Sequence, residues 1–257
     1  MKIALVGYGK MGRAVEQAAL ERGHEIVARV GSSWGRGTAS GKAEPELDGA
    51  QVCVEFSRPE AALPNLRRIA ELGKPLVVGT TGWYRDLTLA RRVVEEKDGA
   101  CVYAPNFSLG LNLYLQVLEK AARLFGSFED YDVLATETHH RRKIDSPSGT
   151  AGRIGEILLE QIPRKRRIVT DSLNRPIAPD ELHLLAGRAG HFPGTHSVIF
   201  DSPADSVELV HRARSRLGFA LGAVLAAEWI RGRRGFYSFS RMLQEILDGQ
   251  APAGTQP

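Results

Sequence analysis

Between positions 139 and 150 the chain reads His139-His140-Arg141-Arg142-Lys143-Ile144-Asp145-Ser146-Pro147-Ser148-Gly149-Thr150. Histidine titrates near neutral pH, so it can give and regain a proton in water. Lysine, with an ordinary pKa of roughly 10.4, is a poor donor at pH 7 unless shifted. Ser148 and Thr150 are helix N-cap types, and a Gly-containing loop that opens onto a helix predicted over residues 151–161 forms a carboxylate or phosphate cradle. Three readings compete for this stretch: a metal site, a solvated basic surface, and an acid/base centre beside an anion pocket. Two adjacent histidines with no third ligand at zinc spacing argue against a metal. The cap residues that follow favour the acid/base and anion site.

A second anion cradle stands near the N-terminus. Gly7-Tyr8-Gly9-Lys10-Met11-Gly12 follows an apolar strand-like run and opens a helical one. The first glycine permits the tight turn, the second lets backbone N–H groups approach a pyrophosphate, and the third lets helix and strand pack closely. In NAD-preferring proteins an acidic residue some 20 positions on binds the adenine ribose hydroxyls. Here that place holds Ala28 and Arg29, followed by Gly31-Ser32-Ser33. A guanidinium without a neighbouring carboxylate suits a 2′-phosphate, so NADPH is the expected cofactor, with NADH as the alternative. Two anion sites in separate parts of the chain imply a dinucleotide in one and a dianionic substrate in the other.

The elements that must position these residues follow from hydrophobic periodicity. Strands are predicted at 2–6, 25–30, 51–56, 76–79 and 100–104, with helices at 11–22, 59–72 and 87–96 between them. This is a Rossmann-like, doubly wound parallel sheet. Beyond Asn106 the texture changes. A helix at 109–125, a strand at 132–138, the helix at 151–161, and strands around 183–186, 197–200 and 206–211 indicate an α+β domain with an open mixed sheet. On the 132–138 strand, alternation puts Glu137 on the face of His139 and His140 on the opposite one, where the carboxylate can orient His139 and raise its pKa. The domains expected are 1–107 for the dinucleotide, 108–216 for the substrate, and 217–257 returning to the first through a helix at 218–231, with a frayed Gly/Pro/Ala-rich tail from Gly249.

With 43% hydrophobic and 25% charged residues, the chain has the composition of a globular protein rather than a disordered one. The net charge of +4 suits an anionic small molecule, and with no recognised binding motif nucleic acid is not an expected partner. No stretch approaches the roughly 20 apolar residues needed to cross a bilayer, so a cytoplasmic enzyme without a membrane partner is expected. Cys53 and Cys101 lie in apolar runs and read as buried, unpaired thiols.

The run from His139 to Ala151 resembles the signature HHxxKxDxPSGTA of the 4-hydroxy-tetrahydrodipicolinate reductases, also called dihydrodipicolinate reductases. Collinear support comes from Phe56-Ser57-Arg58-Pro59-Glu60, Gly79-Thr80-Thr81-Gly82, Ala104-Pro105-Asn106-Phe107-Ser108, the Gly194-Thr195-His196 turn, and His211-Arg212-Ala213 through Arg216. The resemblance implies NAD(P)H-dependent reduction of a cyclic unsaturated imine dicarboxylate in lysine and diaminopimelate biosynthesis. It makes His139 the candidate acid/base and Lys143 a candidate proton donor, with His140, Ser148, Gly149 and Thr150 holding the substrate. For the cofactor it adds Gly79, Thr80 and Thr81, and Ala104, Pro105, Asn106 and Phe107, to the glycine loop and Arg29. It also implies a homotetramer built through the second domain's sheet. Many members carry an acidic residue where this chain has Ala28, which narrows dual cofactor use, and Lys10 stands where Arg is common. A related two-domain amino- or imino-acid dehydrogenase would explain the first domain but not the histidine-bearing run. A non-catalytic NADP(H)-sensing module would need only the glycine loop.

Overall fold

The structure is a computed structural model, and it describes residues 1–31 and 47–249. Ser32, Ser33 and the tail beyond Gly249, on which part of the sequence reading fell, lie outside the described residues. The chain divides into two compact units, one combining Met1–Leu109 with the chain from Arg216 onward, the other Gly110–Ser215. The first begins β1 (Lys2–Val6), α1 (Lys10–Glu21), β2 (Glu25–Val30), β3 (Val52–Glu55), α2 (Pro59–Glu71), β4 (Leu76–Val78), α3 (Leu87–Glu96), β5 (Ala100–Tyr103). From α4 (Leu109–Gly126) the chain builds the second: β6 (Asp132–His139), α5 (Gly149–Gln161), β7 (Arg167–Val169), β8 (Glu181–Arg188), β9 (Thr195–Asp201) and β10 (Ser206–Arg212). It then returns with α6 (Leu217–Ile230), β11 (Gly235–Ser238) and α7 (Phe239–Leu247).

The first unit's sheet is parallel throughout, in the order β11-β5-β4-β3-β1-β2. Strand alternation sends Ile3, Leu5, Val52, Val54, Val77 and Val102 into one apolar layer, shared with α1, α6 and α7. Ala4, Val6, Cys53, Leu76, Val78 and Cys101 enter the other, against α2 and α3. Both faces are buried, which is why these strands read as continuous apolar runs. The Cys53 thiol is pushed up to about 12 by burial, and Cys101 higher still, so both are held as unreactive thiols. The order reverses between β1 and β3, and it is at such switch points, at the carboxyl ends of the strands, that open α/β sheets bind ligands.

The second unit's sheet is mixed, in the order β10-β9-β6-β8-β7, with β6 parallel to β8 and antiparallel to β9. Helices α4 and α5 cover one face, with Leu118, Ala122, Ile154 and Leu158 packed against Val133, Ala135, Leu184 and Val198. Along β6 that face continues from Val133 and Ala135 to Glu137 and His139, so a strand that is apolar where helices cover it becomes polar at its end. Strands β7 and β11 and helix α7 are additions to the predicted elements. Helix α5 starts at Gly149 rather than residue 151, because Ser148, in an extended conformation, caps it by accepting from Ala151 N at 3.2 Å.

Helix α6 is buried along most of its length, and at Gly222 it meets the backbone that follows β5. A Cβ there would lie 1.7 Å from the Phe107 carbonyl oxygen. Gly222→Ala must therefore separate α6 from the Ala104–Phe107 loop, and the expected loss is about 1–3 kcal/mol by denaturant unfolding, as for an overpacked core. Unchanged stability would show that the helix can shift without strain.

Candidate active site

The candidate site residues fall into two groups, one in each unit. In the first, the glycines are required by contacts rather than by flexibility alone. Gly7 has φ +91°, and a Cβ on it would sit 2.3 Å from the Phe56 carbonyl oxygen. One on Gly12 would sit 2.4 Å from the Gly7 oxygen. Gly9 is the N-cap of α1, bears no side-chain cap, and has open space where its Cβ would be. The helix thus presents its first-turn donors and positive dipole end over a bare backbone, which fits a dinucleotide pyrophosphate. Lys10 is exposed and Met11 half-buried at the opening of that helix.

The other cofactor candidates lie at the carboxyl ends of β4 and β5. Gly79 packs so closely on the Phe56 ring that a Cβ would fall 2.0 Å from it. Thr80 is buried; its hydroxyl accepts from Ser57 N at 2.8 Å and its carbonyl accepts from Trp83 Nε1 at 2.8 Å, while Thr81 is exposed. Asn106 Oδ1 accepts from Ser108 N at 2.8 Å between exposed Pro105 and buried Phe107, and Ala104 N donates to Val78 O. Sequence reading missed Glu55, which anchors this rim. Its buried carboxyl takes hydrogen bonds from Ser57 N and Asn65 Nδ2 and from the Ser57 hydroxyl. Burial nevertheless pushes it above the usual carboxylate range. Arg29 is not a free guanidinium: it is paired with Glu16 of α1.

In the second unit everything converges on Glu137. Its side chain is wholly buried. One oxygen accepts from Ser148 N at 3.0 Å and from Arg188 Nη2 at 2.8 Å. The other accepts from the Ser148 hydroxyl and lies 3.3 Å from His139 Nδ1 and 3.4 Å from His196 Nε2. Burial acts to raise the Glu137 pKa, but His196, Ser148 and Arg188 outweigh it, and the carboxylate stays ionised far below its usual range. Register explains the meeting: Arg188 faces His139 across the β6–β8 pair, and His196 faces Glu137 across β6–β9.

His139 is almost fully buried, edge-on to His196 with ring centroids 5.2 Å apart. The expectation that Glu137 would raise its pKa is overturned. Burial outweighs the carboxylate's pull, and His196, Lys143 and Arg188 add to it, lowering His139 to about 4. Its Nδ1, though near Glu137, lacks the alignment of a hydrogen bond. Gly194, at φ +147°, leaves room for the ring; a Cβ there would lie 2.9 Å from His139 Nε2. His140 follows the end of β6, half-buried, with its Nδ1 unpartnered. Lys143 reaches Asp145 at 2.8 Å, while Arg141 and Arg142 are exposed. Gly149 and Thr150 open α5, and the space about Gly149 is clear, so that helix end offers donors to an anion just beyond buried Ser148.

The third potential metal ligand that the sequence lacked is supplied by the fold, since donor atoms of Glu137, His139 and His196 lie within 4.8 Å of one another. The carboxylate is already neutralised by Arg188 and capped by Ser148, contacts that a cation would have to displace. That bonding favours proton chemistry.

A glycine-lined helix N-terminus in one unit and a buried glutamate–histidine cluster beside a second helix N-terminus in the other match the division of two-domain nicotinamide-dependent oxidoreductases of small anions. The family models described as dihydrodipicolinate reductase, N-terminus and C-terminus, match residues 1–107 and 110–243. The chain belongs to the dihydrodipicolinate reductase family. Relatives named 4-hydroxy-tetrahydrodipicolinate reductase include those of Christiangramia forsetii, 37% identical over 96% of this chain and 99% of its own, and Chromohalobacter salexigens, 36% identical over 90% and 94%. A dipicolinate-bound dihydrodipicolinate reductase from Paenisporosarcina sp. TG-14 shares the fold, with a TM-score of 0.74 at 20% identity, covering 94% of this chain and 98% of that one.

Holding His139 neutral makes stability pH-dependent. The unfolded histidine, with a pKa near 6.5, takes up a proton that the folded one refuses until about 4. This contribution is absent above pH 6.5 and destabilises progressively as pH falls toward 4. Glu137→Gln leaves Arg188 without its carboxylate and is expected to lower stability by about 2–3 kcal/mol in urea unfolding, less than a fully buried pair because Arg188 retains some exposure. Glu137→Gln combined with Arg188→Met should recover part of that loss. Strict additivity of the two substitutions would show that they do not act as a unit.

Proposed function

We propose that the chain reduces 4-hydroxy-tetrahydrodipicolinate with NAD(P)H in lysine and diaminopimelate biosynthesis. The observation that carries this reading is the buried Glu137–His139–His196 cluster set against the N-terminus of α5, with Lys143 on the adjoining loop. A dicarboxylate needs fixed donors and cations: Gly149 and Thr150 supply backbone N–H groups, and Lys143 supplies charge that Asp145 holds until an anion competes for it. A reduced nicotinamide held by the cofactor residues would supply the hydride, and His139 would supply the one proton that the reduction also consumes; from the hydroxylated form, water is released. The proposed cofactor residues are Gly7 through Gly12, Gly79 to Thr81, and Ala104 to Phe107.

His139 is neutral in the free protein at pH 7, so it is not a charged donor waiting for substrate. Two incoming carboxylates raise its proton affinity, and Glu137 stabilises the imidazolium that forms. Binding of the dianion therefore loads the acid. Lys143 contributes chiefly by holding the carboxylate.

A homotetramer is part of the proposal. Helices cover one face of the second unit's sheet, while the other presents Leu134, Ile199 and Val210, half-buried, and exposed Leu185. An uncovered apolar sheet face suits a second copy of the chain. No helix among the described residues is long and apolar enough to cross a membrane. The cytoplasmic location we propose rests instead on the biosynthetic role of the family.

Calorimetry of pyridine-2,6-dicarboxylate binding at pH 7, in buffers of different ionisation enthalpy, should report proton uptake that His139→Gln removes; equal enthalpies in all buffers would refute the loading step. With substrate made from pyruvate and aspartate semialdehyde by a coupled synthase, His139→Gln should lower kcat by roughly 10²–10⁴-fold with cofactor affinity nearly unchanged. Lys143→Ala should act more strongly on KM. No oxidation of NADPH or NADH above background by the parent protein would overturn the substrate assignment. Light scattering should give four copies, and Leu185→Glu with Ile199→Glu should dissociate them.

A further inference from the structure

The region expected to read the adenosine ribose contains a carboxylate that strand position alone does not reveal. In dinucleotide folds the residue at the end of the second strand chooses between cofactors: an acid accepts the ribose hydroxyls of NAD, and a free guanidinium meets the 2′-phosphate of NADP. At the end of β2, Ala28 is buried and offers no polar side chain, which among the described residues of that strand end leaves Arg29. Its guanidinium is engaged by the middle of α1. Arg29 Nε donates to Glu16 Oε1 at 2.9 Å, and Nη2 donates to the same oxygen. The Tyr8 hydroxyl, from within the glycine loop, donates to Glu16 Oε2. Arg29 and Arg13 both lie over the Tyr8 ring, 6.0 and 5.6 Å from its centroid. Glu16 is tied to both sides of the cradle, to the loop through Tyr8 and to the strand end through Arg29.

We infer that Glu16 is a specificity-determining residue, which restrains NADPH binding by occupying the Arg29 edge that a 2′-phosphate would use and by repelling that phosphate. The inference rests on the dinucleotide reading of the glycine loop. Arg29 hydrogen bonding holds the Glu16 carboxyl below its usual pKa, so it is charged at neutral pH. The pair carries no net charge, whereas Arg29 alone would carry one positive charge. A phosphate monoester brings about −1.5 to −2 charges at pH 7 and must compete with Glu16 for the guanidinium. NADH brings only neutral hydroxyls, which do not compete with Glu16 for the guanidinium. The chain thus carries on a helix, rather than on the strand, the acid that restrains Arg29, and its cofactor use is broader than Arg29 alone implies. Residues of this kind act through a neighbour, so the effect is one on relative affinity and not on the hydride step.

The test is direct fluorescence titration of NADPH and NADH into the protein without dicarboxylate, which reads cofactor choice independently of the reaction catalysed. Wild type should bind the two within about tenfold of each other. Glu16→Gln should tighten NADPH roughly tenfold while changing NADH less than threefold, and in an Arg29→Gln background the gain should shrink to a small factor. Retained NADH affinity reports an intact fold; should Glu16→Gln fail to fold, Glu16→Ala is read by the same criterion. An unchanged NADPH to NADH ratio overturns the inference. So does weaker NADPH binding in Glu16→Gln, which would mean that Glu16 holds Arg29 in a phosphate-accepting pose. Failure of the wild type to bind either nucleotide overturns the cofactor reading itself.

Discussion

Burying an ionised carboxylate is expensive unless cations and N–H donors meet it, and at Glu137 the second unit supplies them from several elements at once. Arg188 comes from β8, His196 from β9, and Ser148 from the cap of α5, so the charge can be accommodated only if the sheet register and the helix start are both correct. The same contacts fix the surroundings of His139. A polar network satisfied in this way specifies one arrangement rather than several. The site and the local fold are therefore one construction, and Gly194 is part of it, because any side chain there would enter the space of the imidazole.

Both units use helix N-termini, with different chemistry at the cap. Helix α1 starts on a bare glycine with no side-chain cap, which keeps its donors open and its backbone accessible to a bulky pyrophosphate. Helix α5 is capped by Ser148, whose own hydroxyl is committed to Glu137, so one donor is consumed internally while the exposed first turn at Gly149 stays open. The first arrangement suits a large diffuse anion. The second suits a small carboxylate placed close to a titrating group.

The buried His139 shows how competing electrostatic effects are settled by magnitude. A carboxylate 3.3 Å away favours the imidazolium, yet desolvation and the neighbouring Lys143, Arg188 and His196 disfavour it more strongly. In the proposed mechanism, an acid whose protonation waits for a dianionic substrate avoids carrying a charge in the core between turnovers. The glycine rim is anchored differently, by Glu55, which has hydrogen-bond donors around it but no cation, and whose pKa accordingly moves the other way.

Local pattern in the sequence determined much of this protein. Apolar runs and periodicity marked the parallel strands and their helices, the Gly7-Gly9-Gly12 spacing marked the glycine turn that opens α1, and the run from His139 to Ala151 marked the family and the start of α5 at which the second anion site is proposed. These signals are local because strand alternation, helix repeats and cap residues act over a few positions. Helix α7 was readable too, with Phe239, Met242, Leu243 and Ile246 on one stripe behind Ser238, though its shortness hid it. Strands β7 and β11 are three and four residues long and owe their existence to pairing with β8 and β5, which no local pattern records. Only the tertiary structure brought Arg188 and His196 to Glu137, lowered His139 where the sequence suggested raising it, and paired Arg29 with Glu16. Each of these depends on distance and desolvation between residues far apart in the chain, and the folded register alone sets both.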